Sequence, residues 1–352
     1  MLKTGVRKPE PPPVLRPSNE GRNDISNGSH LPMKSNHLKD IVDYGHHEAI
    51  KHWLKISGFK PHSASTKADF YKLLERHIGE GKIQYGQLRR LTLELNEYGQ
   101  KRLYPGKLIN FKTIGLRQRF ENHLKTFGLR ISEIPERKTE LPSKPHLDYI
   151  WWSPHEVRIG YCETHESMKP DRATLSWKAV TQTNYITISA HCGTGDIRIM
   201  MDAPGEKHPH QGTFRGEDVL GYVPYYRAKA IELLGVDDIK EPDFLKISRG
   251  IASQTAWFER KRSVDKTAHN SRVVTVSSSD VSDDPAYAAS VKVDGKDRAY
   301  LGLAGFWLPG GSDKKLYRLI FMSLNYEERM LQFPGFNLAD EVEYVLSRIR
   351  SI

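Results

Sequence analysis

The chain has 352 residues and carries 53 Lys and Arg against 43 Asp and Glu, so its formal net charge is +10. This length predicts two folded domains, because a single hydrophobic core rarely organises more than about 250–300 residues. The sequence has no apolar run of the ~20 residues that a membrane span needs, and its two cysteines exclude a disulfide scaffold. We therefore expect an intracellular protein, of the cytoplasm and nucleoid or of a nucleus, without a membrane segment.

The first part of the chain is predicted to be a tail followed by helices. Residues 1–36 predict a disordered tail, because prolines and small polar residues leave little apolar surface to bury. Helical spacing of apolar residues begins near His46. A second helix is predicted between a capping box at Thr66 and Asp69 and a stop at Gly79.

Two more helices are predicted before the pattern changes. One ends at Gly99 and the other at Gly128, since glycine is favoured just after the last turn of a helix. Residues 37–130 are thus predicted to form a small all-helical domain. Prolines among charged residues predict a linker over residues 131–148.

The remainder, residues 149–352, alternates in polarity as half-buried strands do. Asp294-Gly295 predicts a hairpin turn between strands at 290–293 and 299–308. Helices are predicted at 217–234 and 338–349. The predicted fold class is therefore α+β, with a small N-terminal all-helical domain followed by a larger, mainly antiparallel sheet domain with helices.

Positive charge is concentrated in the predicted helical domain. Residues 101–125 contain seven Lys and Arg but one acid, Glu121, and two arginines lie just upstream. Such a surface favours a phosphate backbone, because binding releases the counterions held by the nucleic acid. The candidate binding residues in this part of the chain are Arg89, Arg90, Lys101, Arg102, Lys107, Lys112, Arg117, Arg119 and Lys125. A solvated basic face without a dedicated partner is the alternative.

Residues 46–80 resemble the helix-extended-helix pattern of SAP-type DNA-binding modules. A break at Gly58-Phe59 is followed by a polar, capped second helix that begins Ser65-Thr66-Lys67-Ala68-Asp69. The resemblance implies DNA binding, with Lys67 as the lysine before the second helix. The segment 60–64 is longer than the short turn of those modules, and any capped two-helix hairpin would look similar.

A second basic run follows Trp257-Phe258 and consists of Arg260, Lys261 and Arg262. Arginine planes beside an aromatic side chain can contact phosphates or stack on unpaired bases. An exposed strand end that leads into a loop is the alternative, and the pattern favours it.

Two groups of residues are candidate metal or catalytic sites. Cys162, His165, His191 and Cys192 are zinc-ligand types, but adjacent residues on a strand face opposite ways, which favours two small buried cysteines. Asp202, Glu206, His208 and His210 can hold a divalent ion or transfer protons. No phosphate-binding loop, metalloprotease helix or hydrolase elbow is present, so the sequence predicts neither a cofactor nor a catalytic residue.

Together these patterns predict a non-enzymatic protein that binds nucleic acid, with DNA preferred over RNA, or that acts as an adaptor. The basic helical domain would contact the nucleic acid, and the α+β domain would bind a protein partner. Two alternatives stay open. One is a metal-dependent nuclease, or a nuclease subunit of a complex, and the other is a scaffold that binds an acidic protein.

Overall fold

A computed structural model describes residues 38, 41–42, 47–59, 64–132, 145–171, 176–202, 216–266, 271–276, 280–294, 299–309, 318–335 and 337–351. The helices in these ranges are α1 His47–Ile56, α2 Lys67–Gly79, α3 Tyr85–Tyr98, α4 Leu116–Lys125, α5 Gly216–Leu234, α6 Phe244–Ser253, α7 Pro285–Asp294 and α8 Ala339–Arg350. The strands are β1 Lys101–Ile109, β2 His146–Trp152, β3 Glu156–Asp171, β4 Ser176–His191, β5 Asp196–Asp202, β6 Asp238–Lys240, β7 Phe258–Lys266, β8 Ser271–Thr275, β9 Ala299–Trp307, β10 Ile320–Asn325 and β11 Met330–Phe333.

All eleven strands belong to one sheet. Its order is β2-β3-β4-β5-β1-β11-β10-β9-β7-β8, and β6 pairs with β1 off this path. Every pairing between neighbouring strands is antiparallel. The first of the described strands, β1, therefore lies in the middle of the sheet, between strands that come much later in the chain.

Helices cover both faces of this sheet. On one face, α4 and α5 pack on β1 to β5 through a core that contains Phe120 and Tyr226. On the other face, α6 and α8 pack on β9 to β11 through a core that contains Trp307. Adjacent residues of β1 enter different cores, Leu103 the second and Tyr104 the first, as the alternation of side chains along a strand requires.

The predicted fold class is wrong in its N-terminal half, because a separate all-helical domain is not what the described residues show. Lys101–Ile109, predicted to lie within that domain, forms β1 and pairs with both β5 and β11. Proline is tolerated at Pro105 because pairing with β11 ends at Leu103 and pairing with β6 starts at Lys107. The helix α4 that follows packs on the sheet through Phe120 and Leu124.

The helices α1 to α3 share a third cluster of buried side chains, which includes Phe70 and Leu91. Leu338, just before α8, belongs to the same cluster and connects these helices to the end of the chain. The backbone N–H of Ala339 also donates to Glu94 Oε1 at 2.8 Å. The N-terminal helices are thus attached to α8.

The hairpin predicted at Asp294-Gly295 is also wrong, since residues 285–294 form α7. Asp284 Oδ1 accepts the backbone N–H of Tyr287 at 2.7 Å, which is the hydrogen bond of a helix N-cap. Pro285 follows at the first helical position, where its missing N–H has no cost. Two start signals for a helix, the Asp284 cap and Pro285, therefore outweigh the short alternating run at 290–293, which by itself indicates a strand.

Other helix signals are confirmed. Thr66 and Asp69 form the predicted capping box of α2, and the N–H of Gly99 closes α3 by donating to the Leu95 carbonyl at 2.9 Å. The predicted tail at 1–36 and most of the predicted linker, residues 133–144, lie outside the described residues. None of the described helices combines the length and the apolar character that a membrane span requires.

Candidate nucleic-acid interface

The seven cations between residues 101 and 125 do not form one surface. Lys101 is 2% exposed, and its Nζ donates to Asp202 Oδ1 at 2.5 Å and to the Tyr185 carbonyl at 3.0 Å. Arg102, next along β1, points to the opposite face and is half-buried. Lys107 is exposed but pairs with Asp196 at 3.0 Å. The charges of Lys101 and Lys107 are therefore balanced by carboxylates of the same chain.

Apart from Lys107, the exposed cations of this stretch lie on α4 and the loops beside it. Leu116, Phe120 and Leu124 form the buried stripe of this helix and fix it to the sheet. The cations around this stripe remain exposed, and we call them the α4 surface: Lys112, Arg117, Arg119, Lys125 and Arg130. Arg130 was missed by the sequence analysis, which ended the basic run at Lys125.

The stretch that carries the α4 surface, residues 110–130, contains a single acid, Glu121. Arg117 Nε contacts Glu121 Oε1 at 3.0 Å, across one turn of the helix. Lys112, Arg119 and Lys125 have no salt-bridge partner among the described residues. The Arg119 guanidinium lies beside Gly235, at the carboxyl end of α5, where the helix dipole favours a cation.

An apolar side chain stands beside these cations. Ile114 is 92% exposed in the loop before α4, and Gly115 follows it in the left-handed conformation at φ +72. Gly115 supplies no side-chain cap to the helix. An exposed isoleucine therefore lies between two cations of the α4 surface, Lys112 and Arg117. A count of charges along the sequence does not reveal this apolar side chain.

The remaining candidate residues are spread over other elements. Lys67 is exposed in the first turn of α2, whereas on α3 Arg90 is exposed and Arg89 half-buried. The turn of the SAP-like segment, residues 60–63, lies outside the described residues, and the resemblance stays a prediction.

In the second basic run only Arg262 is exposed. Arg260 is 5% exposed, and its guanidinium carbon lies 5.6 Å from the ring centre of Tyr287. Its backbone N–H donates to Asp280 Oδ2 at 2.5 Å, and its Nη2 lies 3.4 Å from Asp280 Oδ1. Burial opposes ionisation of Asp280, but hydrogen bonds from Ser282 and Arg260 outweigh it and lower the pKa of that carboxyl. Lys261 is half-buried and contacts Glu259 at 2.7 Å.

A buried ionic network, which the sequence analysis missed, lies between β2 to β5 and the helices α3 and α8. Glu97 of α3 is 1% exposed, and it accepts hydrogen bonds from the Tyr149 hydroxyl at Oε1 and from Arg158 Nη1 at Oε2. Burial raises the pKa of Glu97, while Arg158 and Tyr149 act in the opposite direction. Both oxygens of this carboxylate are occupied, so its role is to connect α3 to the sheet.

The network continues through a second arginine. Arg198 of β5 contacts Glu156 Oε1 at 2.9 Å and also pairs with Glu343 of α8. Its guanidinium carbon lies 5.9 Å from the ring centre of Tyr98. Nearby carboxylates and Tyr98 raise the pKa of Arg198 even though burial works against its charge. Opposite charges thus alternate across the helix–sheet contact.

The candidate metal residues show no common site. Cys162 is buried, and burial raises the pKa of the Cys192 thiol. His191 Nδ1 accepts backbone N–H groups of Gly193 and Thr194 at 3.2 and 3.0 Å, a turn that its own side chain closes. The side chain of His165 lies outside the description. Within the described part of the chain, no three metal-ligating side chains come together.

The nuclease candidates are described only at Asp202, which accepts from Lys101 and from the Tyr185 N–H at 2.7 Å. Glu206, His208 and His210 lie outside the described residues. Neither a scan against protein-family models nor a search of the curated proteins found a match to this chain.

Proposed function

We propose that this protein binds nucleic acid, and that the α4 surface is the part that contacts the phosphate backbone. The observation that supports it is a contrast between two kinds of cation. Lys101 and Arg260 are buried and Arg158 and Arg198 are half-buried, and each of the four pairs with a carboxylate of the same chain. The α4 surface keeps its cations in solvent.

The charge balance of the α4 surface favours a polyanion over a small anion. Residues 110–130 contain five Lys and Arg and one acid, Glu121, so positive charge continues over the loop, the helix and the following segment. A phosphate backbone presents negative charge at regular spacing along such a length. The exposed Ile114 adds an apolar side chain of the type that nucleic-acid-binding proteins insert between bases.

DNA is the preferred ligand because of the resemblance of residues 46–80 to SAP modules. Lys67 lies exposed in the first turn of α2 and would contact a phosphate there. Phosphate contacts carry no base information, so we expect binding that varies little with sequence.

The test is fluorescence anisotropy with labelled duplex DNA, single-stranded DNA and RNA, over roughly 50 to 200 mM salt. Each phosphate contact contributes about 0.9 to the slope of log affinity against log salt on duplex DNA. The double variant Arg117→Ala/Lys125→Ala is therefore expected to reduce the slope by about 2, at every sequence tested.

The matched control removes two cations from the opposite face of the sheet. Lys246 and Arg249 are exposed on α6, whose buried residues belong to the core of the other face. Lys246→Ala/Arg249→Ala changes the net charge equally and is expected to leave the slope unaltered. Equal slopes in both double variants would overturn the assignment to α4.

The same titration separates the two alternatives. Loss of the labelled strand in Mg²⁺ or Mn²⁺ would indicate the nuclease, and His208→Ala/His210→Ala would then be the variant to compare. Absence of binding at low salt, together with binding to an acidic protein, would indicate the scaffold.

A further inference from the structure

Two neighbouring strands extend well beyond the rest of the sheet. β3 and β4 pair along their whole length, from Glu156↔His191 to Asp171↔Ser176. The flanking strands stop earlier. The pairing of β2 with β3 ends at Cys162, and the pairing of β5 with β4 ends at Ile186. We call the two strand segments beyond these points, residues 163–171 and 176–184, the arm. The arm has nine residues in each strand, so it is about 30 Å long at 3.3 Å per residue.

The hydrogen bonds at the base of the arm show which backbone groups of β4 face away from β3. The N–H of Tyr185 donates to Asp202, and its carbonyl accepts from Lys101, both on the β5 side. Backbone groups of an antiparallel strand alternate between its two neighbours. The N–H groups of residues 177, 179, 181 and 183 therefore lie on the outer edge of β4, with which no strand of the described residues pairs.

The two edges of the arm differ in how they are protected. Pro170 pairs with Trp177, so it occupies an outward position on β3 and removes an N–H from that edge. The β3 half also carries Glu163, Glu166 and Asp171. The β4 half, residues 176–184, has one charge, Lys178, and neither proline nor glycine. Natural edge strands avoid pairing by charge and proline, and the β4 edge lacks this protection.

We propose that the outer edge of β4 pairs with the same edge of a second copy of this chain. A two-fold axis at Val180 sets Ala179 opposite Thr181 and Trp177 opposite Thr183, so outward N–H groups and carbonyls meet in hydrogen-bonded pairs. Lys178 then lies opposite Gln182, and no like charges face each other. A two-fold interface of this self-complementary kind is the commonest in oligomers.

Electrostatics favour a second copy at the arm over contact elsewhere. The whole chain carries +10, so two copies repel each other on average. The arm contains three acids and two lysines, so it lacks the positive charge of the whole chain. The same lack of positive charge disfavours nucleic acid as its occupant. Trp177, 51% exposed near the tip, would become covered in the four-stranded product.

The experiment is sedimentation velocity of the full chain over a concentration series, with variants that change one edge at a time. Ala179→Pro removes an outward N–H from β4, and Met168→Pro removes the outward N–H directly opposite it on β3. Ala179→Ser keeps the donor at the same position. By symmetry Ala179→Pro removes two hydrogen bonds per dimer, which is expected to weaken dimerisation roughly 30-fold. Met168→Pro and Ala179→Ser are expected to dimerise as the natural chain does.

Hydrogen exchange of the natural chain gives a second readout that needs no variant. The amides of 177, 179, 181 and 183 are expected to exchange more slowly as protein concentration rises, while those of β3 do not change. A chain that stays monomeric at all concentrations, or a dimer that Ala179→Pro leaves intact, would overturn the proposal. Retained far-ultraviolet circular dichroism shows that the proline variants have folded.

Discussion

The ring of Tyr149 lies across Gly160 of the neighbouring strand, in the space that a side chain at residue 160 would occupy. An added Cβ would lie 1.9 Å from Tyr149 Cε1, far inside van der Waals contact. The ring cannot easily move, because the Tyr149 hydroxyl donates to buried Glu97. Glycine at this position therefore allows a tyrosine of β2 to reach a glutamate of α3 across β3.

We expect Gly160→Ala to lower the free energy of unfolding by about 1–3 kcal/mol, the usual result of overpacking. Denaturant unfolding followed by circular dichroism measures it. Gly86 lies in α3 with nothing near its Cβ position, and Gly86→Ala is expected to be neutral or stabilising by up to about 1 kcal/mol. An unchanged midpoint for Gly160→Ala would show that the Tyr149 ring is not held in place.

Glu94 makes stability depend on pH. Burial at the contact with α8 raises the pKa of this carboxyl from 4.5 to about 7, although the Ala339 N–H favours its charge and Asp340 opposes it. A raised folded-state pKa means that the contribution of Glu94 is fully present below pH 4.5 and is lost as pH rises to about 7. This contribution is at most about 3 kcal/mol, and the remaining exposure of Glu94 reduces it.

The variant Glu94→Gln removes this titration and keeps an acceptor for Ala339. We expect it to be more stable than the natural chain at pH 8 and similar to it near pH 4, when unfolding is measured at both. If the difference between the two proteins were constant over this range, Glu94 would not titrate in the folded state as described.

Lys101 and Lys112 should behave in opposite ways, although both belong to the same basic stretch of sequence. Lys101→Met removes the ammonium that donates to Asp202 and to the Tyr185 carbonyl, and we expect a loss of about 1–3 kcal/mol of stability. Lys112→Met is expected to change stability by no more than about 0.5 kcal/mol, and to weaken nucleic-acid binding. Thermal unfolding measures the stability of the two variants, and fluorescence anisotropy measures their binding to nucleic acid.

The start of α7 depends on Asp284. We expect Asp284→Ala to cost about 0.5–2 kcal/mol, because it removes the acceptor of the Tyr287 N–H. Asp284→Asn keeps an acceptor and should lose much less. Urea unfolding of the pair compares them, and equal losses would mean that the cap contributes little to α7.

Sequence patterns located the elements whose signals are local. The caps of α2 and the end of α3 depend on residues within one turn, and these predictions are confirmed. β1 was missed because both of its faces are covered, so buried Leu103 and Tyr104 are adjacent and the alternation of a half-buried strand is absent. Its partners in the sheet, β5 and β11, are distant in sequence.

The candidate site was predictable only in part for a related reason. Lys101 and Lys112 look alike in the sequence, and their difference arises from Asp202, which β5 brings beside Lys101. Likewise, Asp280 comes to Arg260 from twenty residues away. Charge counts register the cations of a chain but do not register which carboxylates the tertiary fold assigns to them.

The position of β1 also sets an order of events during synthesis. Leu103 pairs with Leu331, a partner made more than two hundred residues later. At about 5–20 residues per second, the ribosome delivers that partner on the order of 10–50 s after β1 has emerged. The middle of the sheet thus depends on contacts of high sequence separation, which form slowly. Until β11 is made, the edge of β1 that it will cover stays unpaired. Neighbouring nascent chains on the same polysome could then pair with this edge, and we expect such mispairing to increase with crowding.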